Sequence, residues 1–175
     1  MKFNFKNLDE QTRKLMLDEI NIDISSGQLY YSKRFNDTGI KLYPSLLQQA
    51  VESGDEEHLA TSLKHNQSFK NEEERRTKTG VTFVKVPETA HQTFAESEFN
   101  RFYIRALCMR AITNGQQLIV YRARHSDNPR AESEMMINRM VDPNRLLADL
   151  RNNIGVDTAL GLPPGPNSGL TVKLG

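Results

Sequence analysis

At 175 residues, with 23 Lys+Arg, 22 Asp+Glu and one cysteine, the chain has the size of one ordinary domain, long enough to bury roughly 70% of the surface its unfolded form exposes. A net charge of +1 makes no global case for nucleic acid or a membrane surface, and Cys108 alone cannot close an internal disulfide. No stretch reaches the ~18 apolar residues of a bilayer-spanning helix, no Cys/His spacing reads as a zinc site, and residues 1–14 lack the apolar run of a secretory signal. The expectation is a protein made in the cytoplasm, with no membrane span, structural metal or cofactor.

The distribution of charge says more than its sum. Residues 1–100 carry thirteen Lys/Arg against sixteen Asp/Glu, or −3, whereas residues 101–151 carry nine Arg, no Lys and five Asp/Glu, or +4.

Along the chain, Asn7 followed by Glu10 fits a variant capping box, opening a helix through Leu15, Met16, Glu19 and Ile22 that Ser25-Ser26-Gly27 closes. The alternation Ile20, Ile22, Ile24 also permits a short strand there. Leu29-Tyr30-Tyr31 has strand composition, and Asn36-Asp37-Thr38-Gly39 has turn chemistry. Two short helices are predicted next, one beginning near Pro44 and carrying Leu46, Leu47 and Ala50, the other spanning 56–64 with Leu59, Ala60 and Leu63. Residues 66–80, with the charge run Glu72-Glu73-Glu74-Arg75-Arg76, read as a solvated loop or exposed helical turn. Val81 to Val86 reads as a strand that Pro87 ends.

The strongest pattern follows, a helix from about 87 to 114. At 100° per residue, Ala95, Phe99, Phe102, Tyr103, Ala106 and Met109 share one broad face, and Ile104, Leu107 and Ala111 cover much of the other. Only a narrow ridge is charged: Glu98, Arg101 and Arg105, spaced for an intrahelical ion pair. Asn114-Gly115 is the stop signal. Leu118 to Tyr121 reads as a buried strand continuing through Arg122-Ala123-Arg124, which would put both arginines on one face. Ser126 to Pro129 ends it, a short helix is predicted over 132–139, and Asp142-Pro143 opens another carrying Leu146, Leu147 and Leu150 up to Gly155. The fold class is therefore α+β: a mainly helical single domain, 1–159, around the long central helix, with a few short strands and an extended Pro/Gly-rich arm, 160–175.

No glycine-rich phosphate loop, paired metal-binding histidines or Gly-x-Ser-x-Gly elbow is present, which argues against a common enzyme class and leaves no catalytic residue to name. His58, His65, His91 and His125 are scattered, and Cys108 sits among apolar neighbours as a small hydrophobe. One constellation stands out. Arg122, Arg124 and Arg130 are suited to clamping a phosphate or carboxylate, or to contacting nucleic acid, through the guanidinium fork, with His125 beside them as an acid or base. The favoured account is structural: Arg122, Arg124 and Arg130 pair with Asp127, Glu132 or Glu134, or with an acidic patch on another subunit, since interfaces favour Arg over Lys. Leu170, Val172 and Leu174 alternate in the arm, which fits a strand added to a neighbouring subunit or an internal one.

With its helix segment Glu98 to Arg105, its arm from Pro163 to Gly169 and its arginine-based contacts, the chain resembles in general character the small structural proteins of tailed phages, head-to-tail connectors or capsid-associated proteins. That resemblance implies a virion protein acting through protein–protein contacts in a homo-oligomer or larger assembly. The competing reading is an enzyme or regulator that binds a phosphate-bearing ligand or nucleic acid at the arginine strand.

Overall fold

The computed structural model describes residues 2–155 and 168–175. The long central helix is present as α4 (Ala90–Asn114). Around it pack α1 (Glu10–Ser26), α3 (Glu56–His65) and α6 (Pro143–Asn152), with α2 (Asp37–Ser53) lying across α1 and α3. The strands β1 (Glu72–Thr77) and β2 (Gly80–Lys85) form a separate antiparallel hairpin. A second sheet, ordered β4-β3-β5, joins β3 (Leu118–Arg122) to β4 (Met140–Val141) and β5 (Leu170–Leu174), with the short α5 (Ala131–Met136) between β3 and β4. Among the described residues no helix is long and apolar enough to cross a membrane.

From Glu98 to Cys108 only Asn100 escapes burial on α4, so the helix is enclosed nearly all round, as its composition requires. Two aromatic clusters meet it. Phe94 contacts Phe35 and Tyr43 edge-on, with centroids 4.8 and 5.0 Å apart, and Phe5 packs on Tyr103 at 4.6 Å and Phe99 at 5.4 Å. Phe5 belongs to an N-terminal segment that runs beside β3: Asn4 N donates to Ala123 O at 2.9 Å, and Tyr121 Oη donates to Asn4 O at 2.7 Å.

Several local expectations are corrected. The cap of α1 is Asp9, whose carboxylate accepts from Thr12 N. Asn7 is committed elsewhere, its Oδ1 accepting from Leu174 N at 3.1 Å. α1 runs on through Ile24 to a left-handed Gly27, so the isoleucine alternation is helical, with Ile22 and Ile24 facing solvent. Leu29-Tyr30-Tyr31 forms no strand. Asn36 to Gly39 starts α2 instead of making a free turn: Asn36 Oδ1 accepts from Gly39 N at 2.9 Å, and its amide donates to Gln67 O at 2.7 Å. Gly39 is there for close approach, since a Cβ would lie 2.2 Å from Ser68 O. Pro44 therefore sits inside α2 and withholds a donor from the Ile40 carbonyl one turn back. Residues 72–77, expected as loop or helical turn, are a strand.

The charged ridge of α4 is buried. Arg101 lies 3.6 Å from Glu98 and donates to the carbonyls of Leu150 and Asn153, both at 3.2 Å, closing the C-terminus of α6. Arg105 is no intrahelical partner: its Nε donates to Glu19 at 2.7 Å and its Nη atoms grip Asp23 at 2.7 and 2.9 Å. Arg151 of α6 reaches the same Glu19 at 2.5 and 3.1 Å. Burial pushes the Glu19 carboxyl up, but Arg151 and Arg105 pull it down harder, leaving it below the ordinary carboxylate range.

Replacing Arg105 by Ala strands Asp23 and leaves Glu19 with Arg151 alone, and is expected to lower unfolding free energy by about 3–5 kcal/mol in urea titrations at neutral pH. Because the folded-state value of Glu19 is depressed, its contribution is present above the normal carboxylate range and lost as pH falls through the folded value. The Arg105→Ala protein should accordingly lose less stability on acidification than the parent.

Candidate functional site

The arginine-bearing strand does not gather its cations. Ala123 N and Arg124 N both donate to Gly169 O, at 2.8 and 3.2 Å, the two-against-one pattern of a bulge. β3 ends at Arg122, and the predicted alternation ends with it. Arg122 turns to α5, donating to Glu134 at 2.5 Å and Ser133 Oγ at 3.1 Å, and also bonds Ser168 O. Arg124 goes to α4, 3.5 Å from Glu96, with its guanidinium 5.6 Å above the Phe3 ring. His125 lies 3.2 Å from Asp127, both well exposed, and Arg130 precedes α5 with its carbonyl accepting from Ser133. Of the expected pairings of these arginines with local carboxylates, Arg122 with Glu134 is realised, whereas Arg124 goes to Glu96 and Asp127 is met by His125. A convergent clamp is not formed.

The alternating Leu170, Val172 and Leu174 belong to an internal strand, β5, antiparallel to β3 in the register Leu118↔Leu174 to Arg122↔Leu170. Leu170 and Val172 enter the same core as Phe99, and Leu174 packs at its margin. Gly169 makes the approach at φ +65°, where a Cβ would lie 2.2 Å from Arg124 O. The proline-rich part of the arm, 160–167, lies outside the described residues.

A cavity of about 280 Å³ opens beside α4, with Tyr30, Phe94, Glu96, Glu98, Arg101 and Ser168 in its wall. Burial raises the Glu98 carboxyl to about 7 against the pull of Arg101 and Arg105, so it can exchange a proton near neutrality. Its companion Arg101 already serves the end of α6, and Cys108, its thiol pushed up to about 12 by burial, is inert. The arrangement is a fastener with a titratable member. Among the described residues no cluster of three or more His, Cys, Asp or Glu is placed to hold a metal.

The feature that sequence reasoning missed is the hairpin. Lys78 and Thr79 turn the chain and Gly80, at φ +149°, completes the reversal. Cross-strand partners share a face, so Glu72, Glu74 and Arg76 lie with Lys85, Phe83 and Val81. On this face Val81 is 58% and Phe83 65% exposed. The opposite face is tied to the body by Arg34, which donates to Glu73 at 2.6 and 2.8 Å and holds that carboxyl below its ordinary range. At the hairpin's base an open groove of about 990 Å³ is lined by Lys64, Gln67, Phe69, Lys70, Lys85 and His91, among others. Burial, then Lys64, lowers the His91 pKa and favours its neutral form. The signal available in the sequence was the two-residue spacing, ending at Gly80, between the charge run and the apolar strand.

No family model matches this chain, and no curated protein or solved structure matches it.

The raised Glu98 value has a definite sign: its contribution to stability is greatest below the unfolded value near 4.5 and is lost as pH rises towards about 7. Glu98→Gln should flatten the pH dependence of stability across this interval, a difference of roughly 3 kcal/mol at most between its ends. Urea unfolding at several pH values checks it; parallel curves for the two proteins would refute it.

Proposed function

We propose that the chain is an assembly protein that works through protein–protein contacts, of the kind found among small virion proteins of tailed phages, such as head-to-tail connectors and capsid-associated proteins. The observation that carries this reading is the projecting hairpin, with Val81 and Phe83 more than half exposed on one face and with its strands packed chiefly on each other. Paired apolar side chains on an uncovered strand are a liability in a protein that works alone, and are expected where a partner covers them.

The arginine excess of the second half supports this less than composition suggests. Arg101, Arg105, Arg110, Arg122, Arg124 and Arg151 all pair within the chain. The same fact weakens the competing reading, a phosphate-bearing ligand or nucleic acid at Arg122, Arg124, His125 and Arg130, because the first two guanidiniums are held by carboxylates on different helices.

Mass measurement in solution and electron microscopy, on the protein alone and co-expressed with the products of neighbouring genes, tests the proposal. Assembly that Phe83→Ser abolishes while the melting temperature stays within a few degrees is the expected result. A stable monomer that joins no particle in either setting overturns it. A thermal shift with nucleotide or nucleic acid, removed by Arg122→Ala with Arg124→Ala, would favour the competing reading.

A further inference from the structure

The hairpin has a free edge with an unusual charge order. Val86 N donates to Asn71 O at 2.9 Å, and in the antiparallel register Glu72↔Lys85 to Thr77↔Gly80 this makes residues 71, 73, 75 and 77 the hydrogen-bonded partners of β2. The backbone N–H and C=O groups of Glu72, Glu74 and Arg76 therefore point away from β2, and no other backbone among the described residues bonds to them. Glu72, Glu74, Arg75 and Arg76 are exposed.

Which strand suits that edge follows from symmetry. Two copies of one strand pair antiparallel about a twofold axis perpendicular to the sheet, which keeps like faces together and sets residues of the same parity opposite one another. With Glu74 on the axis, Glu72 lies opposite Arg76 of the second copy, Glu73 opposite its Arg75, and each of these contacts occurs twice. The outward backbone groups at 72, 74 and 76 then face their counterparts in bonding position. A slip of two residues one way opposes Glu72 to Glu74 and Glu73 to Glu73. A slip the other way puts Arg75 on Arg75 and loses the Glu73 contact. Only the first register sets glutamates against arginines on both faces, with a single like-charge meeting at Glu74.

We propose that β1 is a homodimerisation edge, pairing with β1 of a second copy of this chain in the register centred on Glu74 to give a four-stranded sheet ordered β2-β1-β1-β2. This rests on the assembly reading above and names the partner of the same element. In that sheet Val81 and Phe83 of both copies lie on one side, widening the apolar face each presents alone.

Sedimentation velocity over a range of protein concentration tests the proposal with the full chain. The wild type should show a monomer–dimer equilibrium that weakens with salt. Arg76→Glu or Glu72→Arg alone should weaken it by about tenfold or more, because each reversal acts at two symmetric contacts. The double variant carrying both changes should return to near wild-type affinity, and Glu74→Gln should tighten the dimer by removing the like-charge pair. Thermal melts check that these exposed changes leave the fold intact. The proposal is overturned by a monomer at all concentrations. It is also overturned by a dimer indifferent to Arg76→Glu, and by one lost only in Phe83→Ser, which would place the contact on β2 or the apolar face. A chain that is monomeric alone yet enters a co-expressed assembly through its hairpin would refute the homodimer and leave the assembly reading standing; a monomer in both settings would refute both.

Discussion

The mutual placement of α1, α4 and α6 depends on the guanidinium of Arg105, held between Glu19 and Asp23 in the interior. A helix as apolar as α4 has to be enclosed, and enclosing it carries its charged ridge out of water as well. Taking those charges from water costs several kcal/mol each, and the cost is offset only when the hydrogen-bonding capacity on both sides is met. Here it is met by geometry that lysine does not have. One planar fork binds two carboxylates on successive turns of α1, while Arg151 brings α6 to the same Glu19. Arg101, one turn before Arg105, satisfies carbonyls at the end of α6, and Arg110, further along, binds the Asp9 cap of α1 at 2.8 and 2.9 Å. These contacts fix the rotation of α4 about its axis and the heights of α1 and α6 beside it. Apolar packing alone specifies such rotation poorly on a helix that is hydrophobic on nearly every side. The use of arginine at positions 101, 105, 110 and 151 is thus explained from within the fold.

Once α4 is oriented, both ends of the described chain are recruited to its flank. β3 obtains one short neighbour locally, at Met140–Val141, and its full-length neighbour only from Leu170–Leu174. The N-terminal segment closes the arrangement: Phe3 N donates to the buried Glu56 at 2.6 Å, Lys6 N to Tyr121 Oη, and Asn7 accepts from Leu174 N. Residues far apart in sequence therefore share one small polar network: Tyr121 binds the N-terminal segment, and the Asn7 contact to Leu174 forms only when the two ends meet. Much of the order at β3 is of this long-range kind, which places sheet completion after helix packing in any folding sequence governed by loop closure.

What could be read in advance follows the same division. The stop signals at Gly27 and Gly115, the Asp142-Pro143 start, and the all-round burial of α4 are local properties, and each appears where the residues indicate. Asn36-Asp37-Thr38-Gly39 misleads because cap and turn use the same chemistry; only the closeness of Ser68 O shows why the glycine is needed inside a helix. Leu29-Tyr30-Tyr31 has strand composition, but its tyrosines go to aromatic contacts with Phe94 and Tyr43 and not to a ladder. Arg122 and Arg124 would share a face on a regular strand, and a bulge imposed by Gly169, 45 residues after Arg124 in sequence, separates them. β1 is least legible of all. Glu-Glu-Glu-Arg-Arg has little strand preference of its own, and its extended form comes from pairing with the apolar β2 and from the Arg34 anchor.

That last point bears on function. A two-stranded hairpin is marginal in water unless something covers a face or adds a strand. In this chain the base is held by the Phe35↔Phe69 bridge and by Arg34 on Glu73, while the outer part holds only to itself. Elsewhere much is settled internally: Arg101, Arg105, Arg110, Arg122, Arg124 and Arg151 pair with carboxylates, and Leu170–Leu174 returns to the sheet of β3. Among the described residues the hairpin is where exposed apolar side chains, Phe83 and Val81, adjoin the outward backbone groups of an open sheet edge. Contact with another protein at the hairpin would cover both.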